Sequence, residues 1–207
     1  MHKNFRKNRK TVRQILNHHF DRFGKCDRIK MLASHLKMPT LFFEKKDEEK
    51  TMIPERLAAL REKMRAYGVD AYLVPTADYH ESEYVGTYFK ARTYITGFTG
   101  SAGTAVITQD EACLWTDGRY FVQAAKELAG TGVTLMKMGQ EGVPTVEEYL
   151  QANTKEGMTI GFDGRVVNEM LGETLEKTLP ERFLSYRSDL IGEIWSDRPA
   201  LSAEPVW

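Results

Sequence analysis

An α/β fold follows from two patterns in this chain: a mixed β-sheet flanked by helices, in a single domain behind an extra N-terminal tail. After residue 52, short runs rich in β-branched and aromatic residues alternate with segments of helical spacing, the pattern of strands covered by helices. Two neighbouring runs are separated only by Gln109-Asp110-Glu111; that is hairpin spacing and places an antiparallel pair in the sheet. A hydrophobic content of 42%, with 10 Phe, 9 Tyr and 3 Trp, suffices for a core and excludes global disorder.

The elements can be justified in order. Pro54 suits a helix's first turn, Ile53, Leu57, Leu60, Met64 and Tyr67 recur at helical spacing, and Gly68 suits a left-handed stop. Ala71–Val74 reads as a short buried strand ended by Pro75. Thr104–Thr108 and Ala112–Thr116 are the hairpin strands, and Arg119–Ala129 is a helix entered through Thr116-Asp117-Gly118, where Thr or Asp can cap exposed amides. Then follow a strand at Val133–Met138, a helix at Pro144–Ala152, a strand at Met158–Asp163 and a helix at Asn168–Thr178. A strand at Arg182–Tyr186 and a short helix at Asp189–Trp195 complete the series. After Asp197 the chain loses periodicity and gains two prolines, which reads as the start of a linker.

Charge divides the chain. Residues 1–51 carry 14 Lys and Arg against 6 Asp and Glu, whereas residues 52–207 carry 15 against 23. The expected organisation is a basic leader, flexible or helical, over 1–51, a folded domain over 52–199 and an interdomain linker beginning at 200–207. The leader reads first as a solvated tail, or as translation begun upstream of Met52. A nucleic-acid arm and a mitochondrial-type presequence are the weaker alternatives. His18 and His19 would point about 100° apart on a helix and share no metal face. Cys26 and Cys113 form no CxxC or Cys/His cluster, which fits a reducing compartment. No apolar run approaches the roughly 18 residues of a membrane span, so no membrane partner is expected.

Three motifs invite chemistry. Gly97–Thr104 (GFTGSAGT) lacks the Gly-Lys-Ser/Thr of a phosphate loop and the first glycine of a nucleophile elbow, so it reads as a tight turn before a strand. Asp78, His80, Glu81 and Glu83 have no second histidine or spaced carboxylate to complete a metal set; they read as a helix N-terminus capped by Asp78. Thr116-Asp117-Gly118-Arg119-Tyr120 is the strongest candidate, because a strand ending in a glycine turn presents side chains at the sheet's carboxyl edge. Arg119 there could fork onto a carboxylate or a peptide carbonyl, or simply bridge to Asp117.

Taken in order, DAYLVP (70–75), HESEYV (80–85), ITGFTGSAGTAVIT (95–108), LWTDGRYF (114–121), TLMKMG (134–139) and IWSDRP (194–199) resemble the N-terminal domain of the creatinase/prolidase/aminopeptidase P superfamily. The resemblance is greatest to the longer Xaa-Pro aminopeptidases and covers roughly residues 52–199. It implies a metallopeptidase whose separate C-terminal domain holds two divalent metals, often manganese, with two Asp, one His and two Glu. No residues of this chain match those ligands, so no catalytic and no metal-binding residue is assigned here, and autonomous enzymatic activity is not expected. What the resemblance implies is a supporting, non-catalytic domain of a cytoplasmic enzyme that acts on proline-containing peptides. Such a domain contributes oligomer contacts, a dimer among them, and one wall of the substrate cleft, with Arg119 and Tyr120 as its substrate-binding residues. His80, Glu83 and Tyr84 are expected to be structural, and Gly100, Ser101 and Gly103 to shape the turn. The alternative is a free-standing dimerisation or binding module of the same fold. Packing against a neighbouring domain would leave an apolar face near the C-terminal edge, for which Trp195 and Trp207 are candidates.

Overall fold

A computed structural model describes residues 41–186 and 189–203, with side chains from residue 50 onward. Residues 1–40 of the leader, Cys26 among them, and Trp207 lie outside the described residues. Residues 48–207 form one compact unit.

The elements in chain order are α1 (Leu41–Tyr67), β1 (Ala71–Pro75), a single 3-10 turn (Thr87–Phe89), α2 (Ala91–Thr96), β2 (Thr104–Thr108) and β3 (Ala112–Thr116). Then come α3 (Phe121–Glu127), β4 (Thr134–Lys137), α4 (Val146–Asn153), β5 (Thr159–Phe162), α5 (Glu169–Thr178), β6 (Phe183–Ser185) and α6 (Leu190–Ile194). The strands form one sheet in the order β4-β3-β2-β1-β5-β6. β2 runs antiparallel to β1 and β3, while the β1–β5, β3–β4 and β5–β6 pairs are parallel. The mixed α/β sheet therefore stands as the residue pattern predicts.

Alternation along the strands explains the layers. Tyr72 and Val74 of β1, Ala105 and Ile107 of β2, and Ala112 and Leu114 of β3 pack on one face with Leu57, Leu60 and Met64 of α1 and with α2, α3 and α6. Their neighbours Ala71, Leu73, Val106, Cys113 and Trp115 enter the opposite core with Tyr149 and Leu150 of α4 and Leu175 of α5. Burial on both faces accounts for the near-continuous apolar runs of β1 to β3.

Several expectations are corrected. Pro54 lies inside α1, which begins at Leu41; a proline there cannot donate to the carbonyl of Lys50. No helix begins at Asp78: its carboxylate accepts from the amides of His80 (2.9 Å) and Ser82 (3.0 Å) and closes a turn, and Glu81 has φ +55°. Neither Thr116 nor Asp117 caps α3, whose N-cap Tyr120 makes no side-chain cap bond. Thr116 is fully buried and turns its hydroxyl to the carbonyl of Ala102 (2.8 Å). Helix α2 and the 3-10 turn have no apolar stripe and escape the periodicity argument. Trp195 is half-buried, with its ring stacked on Tyr94 at a centroid distance of 4.5 Å. Gly68, by contrast, stops α1 at φ +65°, as its residue type suggests.

Leu60 is 0% exposed and Met170 is 74% exposed. In urea unfolding, Leu60→Ala should cost about 2–5 kcal/mol, and Met170→Ala should stay within roughly 0.5 kcal/mol of the parent.

Candidate functional site

Five strands, β1, β3, β4, β5 and β6, point the same way and β2 opposes them. One edge of the sheet therefore collects the segments that follow β1, β3 and β5 together with the loop that precedes β2. This is the edge where open α/β sheets receive ligands.

The loop from Gly97 to Gly103 is built around a buried cation. Arg92 of α2 is 3% exposed. Its Nε donates to Thr76 Oγ1 (2.9 Å), its Nη1 to the Phe98 carbonyl (2.7 Å) and its Nη2 to the Gly100 carbonyl. Burial pulls the guanidinium down to about 10, opposed by the nearby Glu127 carboxylate, so it stays charged at neutral pH. Glu127 in turn accepts from the amide and hydroxyl of Thr99 at 2.9 and 2.8 Å. Gly103 approaches the next strand so closely that a Cβ would lie 2.8 Å from the Trp115 carbonyl oxygen. The glycines thus serve turn geometry and close packing, with Ser101 Oγ tied to the Tyr120 hydroxyl at 2.7 Å.

Arg119 sits in a closed turn at the end of β3. One Asp117 oxygen accepts from the Arg119 amide and from Nε, each at 3.0 Å, and the other accepts from Nη2 at 2.8 Å. The bidentate pair holds the Asp117 carboxyl below its ordinary range. The Arg119 side chain is nevertheless 68% exposed. Two of its five guanidinium N–H bonds go to Asp117, and the other three make no hydrogen bond to another described residue.

The same turn occurs a second time. Asp163-Gly164-Arg165 follows β5 as Asp117-Gly118-Arg119 follows β3. Asp163 accepts from the Arg165 amide (3.1 Å), Nε (2.9 Å) and Nη2 (2.8 Å). Here Nη2 also donates to Asp189 at 2.7 Å, and Nη1 reaches the Tyr88 hydroxyl at 3.4 Å. The two copies differ in their outer partners: Arg165 also pairs with the Asp189 carboxylate, whereas Arg119 pairs with no second carboxylate among the described residues.

The residues expected at the site are only partly brought together. Tyr120 lies beside Arg119, its ring 5.3 Å from the guanidinium carbon and edge-on to Phe98. Glu83 is near enough to strengthen Arg119's hold on its proton, behind the larger contribution of Asp117. His80 and Tyr84 are exposed, and Tyr84 is 76% exposed. Among the described residues, no three His, Cys, Asp or Glu side chains are placed to hold a metal ion, so the residues present do not fit a dinuclear centre. Sequence reasoning missed Arg92, a charge hidden in a polar-looking segment. It also missed the second turn, although the repeated Asp-Gly-Arg tripeptide after two strand-like runs was a visible signal.

Two outcomes follow from this geometry. Arg92→Met strands two buried carbonyls and removes a donor from the Thr76 hydroxyl, and should lower unfolding free energy by about 3 kcal/mol, read by denaturant titration. The depressed Asp117 and Asp78 carboxyls stabilise the fold fully at neutral pH and lose that contribution as pH falls below about 4. NMR titration should place the Asp117 midpoint below the ordinary carboxylate value and move it part of the way back in Arg119→Ala, which keeps the amide bond to Asp117.

Comparison with known proteins fits this architecture. The family model described as Creatinase/Prolidase N-terminal domain matches residues 56–193. A Talaromyces marneffei protein named Probable Xaa-Pro aminopeptidase P is 46% identical over 157 residues, covering 73% of this chain and 24% of the relative. Aminopeptidase P2 of Arabidopsis thaliana is 40% identical over 159 residues, covering 74% of this chain and 22% of its own length. The chain thus spans about a quarter of the length of these curated relatives. The crystal structure of a Caenorhabditis elegans X-prolyl aminopeptidase, described as a cytosolic enzyme with a di-nuclear active site, superposes with a TM-score of 0.68 at 37% identity over 74% of this chain and 27% of that one. An N-terminal domain of the cytoplasmic peptidase PepQ from Mycobacterium tuberculosis matches over 68% of this chain and 98% of its own, with a TM-score of 0.50 at 25% identity. Sequence motifs, sheet order and these likenesses agree: the chain belongs to the creatinase/prolidase N-terminal domain family.

Proposed function

We propose that this chain is the non-catalytic N-terminal domain, over residues 52–199, of a cytoplasmic metal-dependent Xaa-Pro aminopeptidase. In this reading the carboxyl edge of its sheet forms one wall of the cleft for a proline-containing peptide. Arg119 offers its open N–H bonds to a peptide carbonyl or carboxylate, and Tyr120 supports it. The observation that carries the reading is the match of most of this chain to about a quarter of Xaa-Pro aminopeptidase relatives. The exposed, partly unpaired guanidinium of Arg119 supports placing substrate on its side of the domain.

Bond cleavage itself belongs to sequence outside this match. Two divalent metals, manganese among them, would activate water there, and no step of that chemistry passes through the described residues. Homo-oligomer contacts in the complete enzyme are part of the same proposal. The second reading is a free-standing dimerisation or binding module. It draws on the single compact unit formed by residues 48–207 and predicts self-association of the purified chain in light scattering.

The test is a chimera in which this domain precedes the remainder of the Caenorhabditis elegans enzyme. Arg119→Ala should raise KM for a proline-containing peptide about tenfold, with a smaller change in kcat. Unchanged kinetics in a folded, active chimera would remove Arg119 from the cleft. The unfused chain should show no metal-dependent Xaa-Pro cleavage after repurification.

A further inference from the structure

Arg198, in the chain leaving α6, joins that segment to the loop between β1 and α2. The Arg198 side chain is 11% exposed. Its Nε donates to the Tyr88 carbonyl at 2.9 Å, its guanidinium carbon lies 3.9 Å from the Tyr88 ring centroid, and its Nη1 pairs with Asp189 Oδ2. Asp189 is shared three ways. Its other oxygen accepts from the Gly192 amide at 2.7 Å in the first turn of α6, and Oδ2 also meets Arg165 at 2.7 Å. Gly192 makes room for this pairing, since a Cβ there would lie 2.6 Å from Asp189 Oδ2 and 2.8 Å from Arg198 Nη1.

Tyr88 belongs to a strap that runs from Asp78 to Lys90, between β1 and α2. Aromatic contacts join its two ends. Tyr88 meets Phe89 edge-on at 5.0 Å, and Phe89 meets Tyr79 edge-on at 4.7 Å. Tyr79 lies within the turn closed by Asp78, and Glu81 of the strap pairs with the Asn168 amide at the start of α5. By the sheet order, the strap and Arg119 share the carboxyl edge, one following β1 and the other β3.

We propose that Arg198 pins the exit segment and the strap Asp78–Lys90 into one cooperative unit. The physical basis is that Arg198 is a contact the two segments share: the mostly exposed strap supplies the Tyr88 carbonyl and ring, and the start of the five-residue α6 supplies Asp189. Local structures of this kind open as units when their common fastening is lost. This inference does not depend on the peptidase reading.

Amide hydrogen exchange on the full 207-residue chain tests it, using Arg198→Met and, independently, Gly192→Ala, which disturbs the same pairing without removing a charge. The amides of His80, Ser82, Phe89 and Lys90 report on the strap, those of Gly192 and Trp195 on the exit segment, and those of Leu73, Val106 and Leu114 on the sheet. Both variants should accelerate exchange in strap and exit segment together, by about tenfold or more, with the sheet unchanged. Faster exchange in the exit segment with an unchanged strap would overturn the coupling, as would unchanged exchange in both segments. A uniform rise that includes the sheet in both variants would also overturn it, making Arg198 an ordinary stabiliser of the whole fold.

Discussion

Burial of β1, β2 and β3 on both faces is the constraint from which the remaining geometry follows. With Tyr72, Ile107 and Leu114 committed to one core and Leu73, Val106 and Trp115 to the other, a slip of one residue in register would exchange the two cores. Register therefore holds where each strand ends, and strand ends decide which side chains reach the edge. Asp117 and Asp163 stand at the ends of parallel-running strands for this reason, and the two Asp-Gly-Arg turns are aimed the same way. The edge is organised by the interior beneath it.

Arg92 shows how a charge can serve that interior. A buried cation is costly unless its donors are matched. Here three nitrogens find a hydroxyl and two carbonyls, all from segments that must converge. The loop between α2 and β2 turns through Gly97 at φ +77°, and the guanidinium gathers the carbonyls that such a turn leaves pointing inward. Glu127, approaching from α3, supplies the compensating charge and fixes Thr99.

Most of the fold was legible in the residues because its signals are local. Alternation in TAVIT and ACLWT, the three-residue hairpin spacing and Gly68 after an apolar stripe each express a backbone requirement in residue type. The Asp78 segment was misread because carboxylates favour turns and helix starts alike, and only the partners of the amides tell them apart. Pro54 misled for a related reason: a first-turn preference does not forbid an interior position. The site was legible as a motif but not as a geometry. Nothing in TDGRYF says that Asp117 already grips Arg119, or that Arg165 is the same turn with its outer face occupied. That distinction depends on Asp189, distant in sequence and delivered by α6.

The duplicated turn separates two demands usually fused in one residue. At Arg165 every substitution disturbs a carboxylate from the turn, another from α6 and the Tyr88 hydroxyl, so variation there is charged to folding. At Arg119 the turn asks only for Asp117, and an exposed pair of that kind contributes little to stability. The chemistry of position 119 can therefore drift with whatever it meets across the edge while the scaffold stays intact. One motif thus supplies the domain with a fixed corner and an adjustable one.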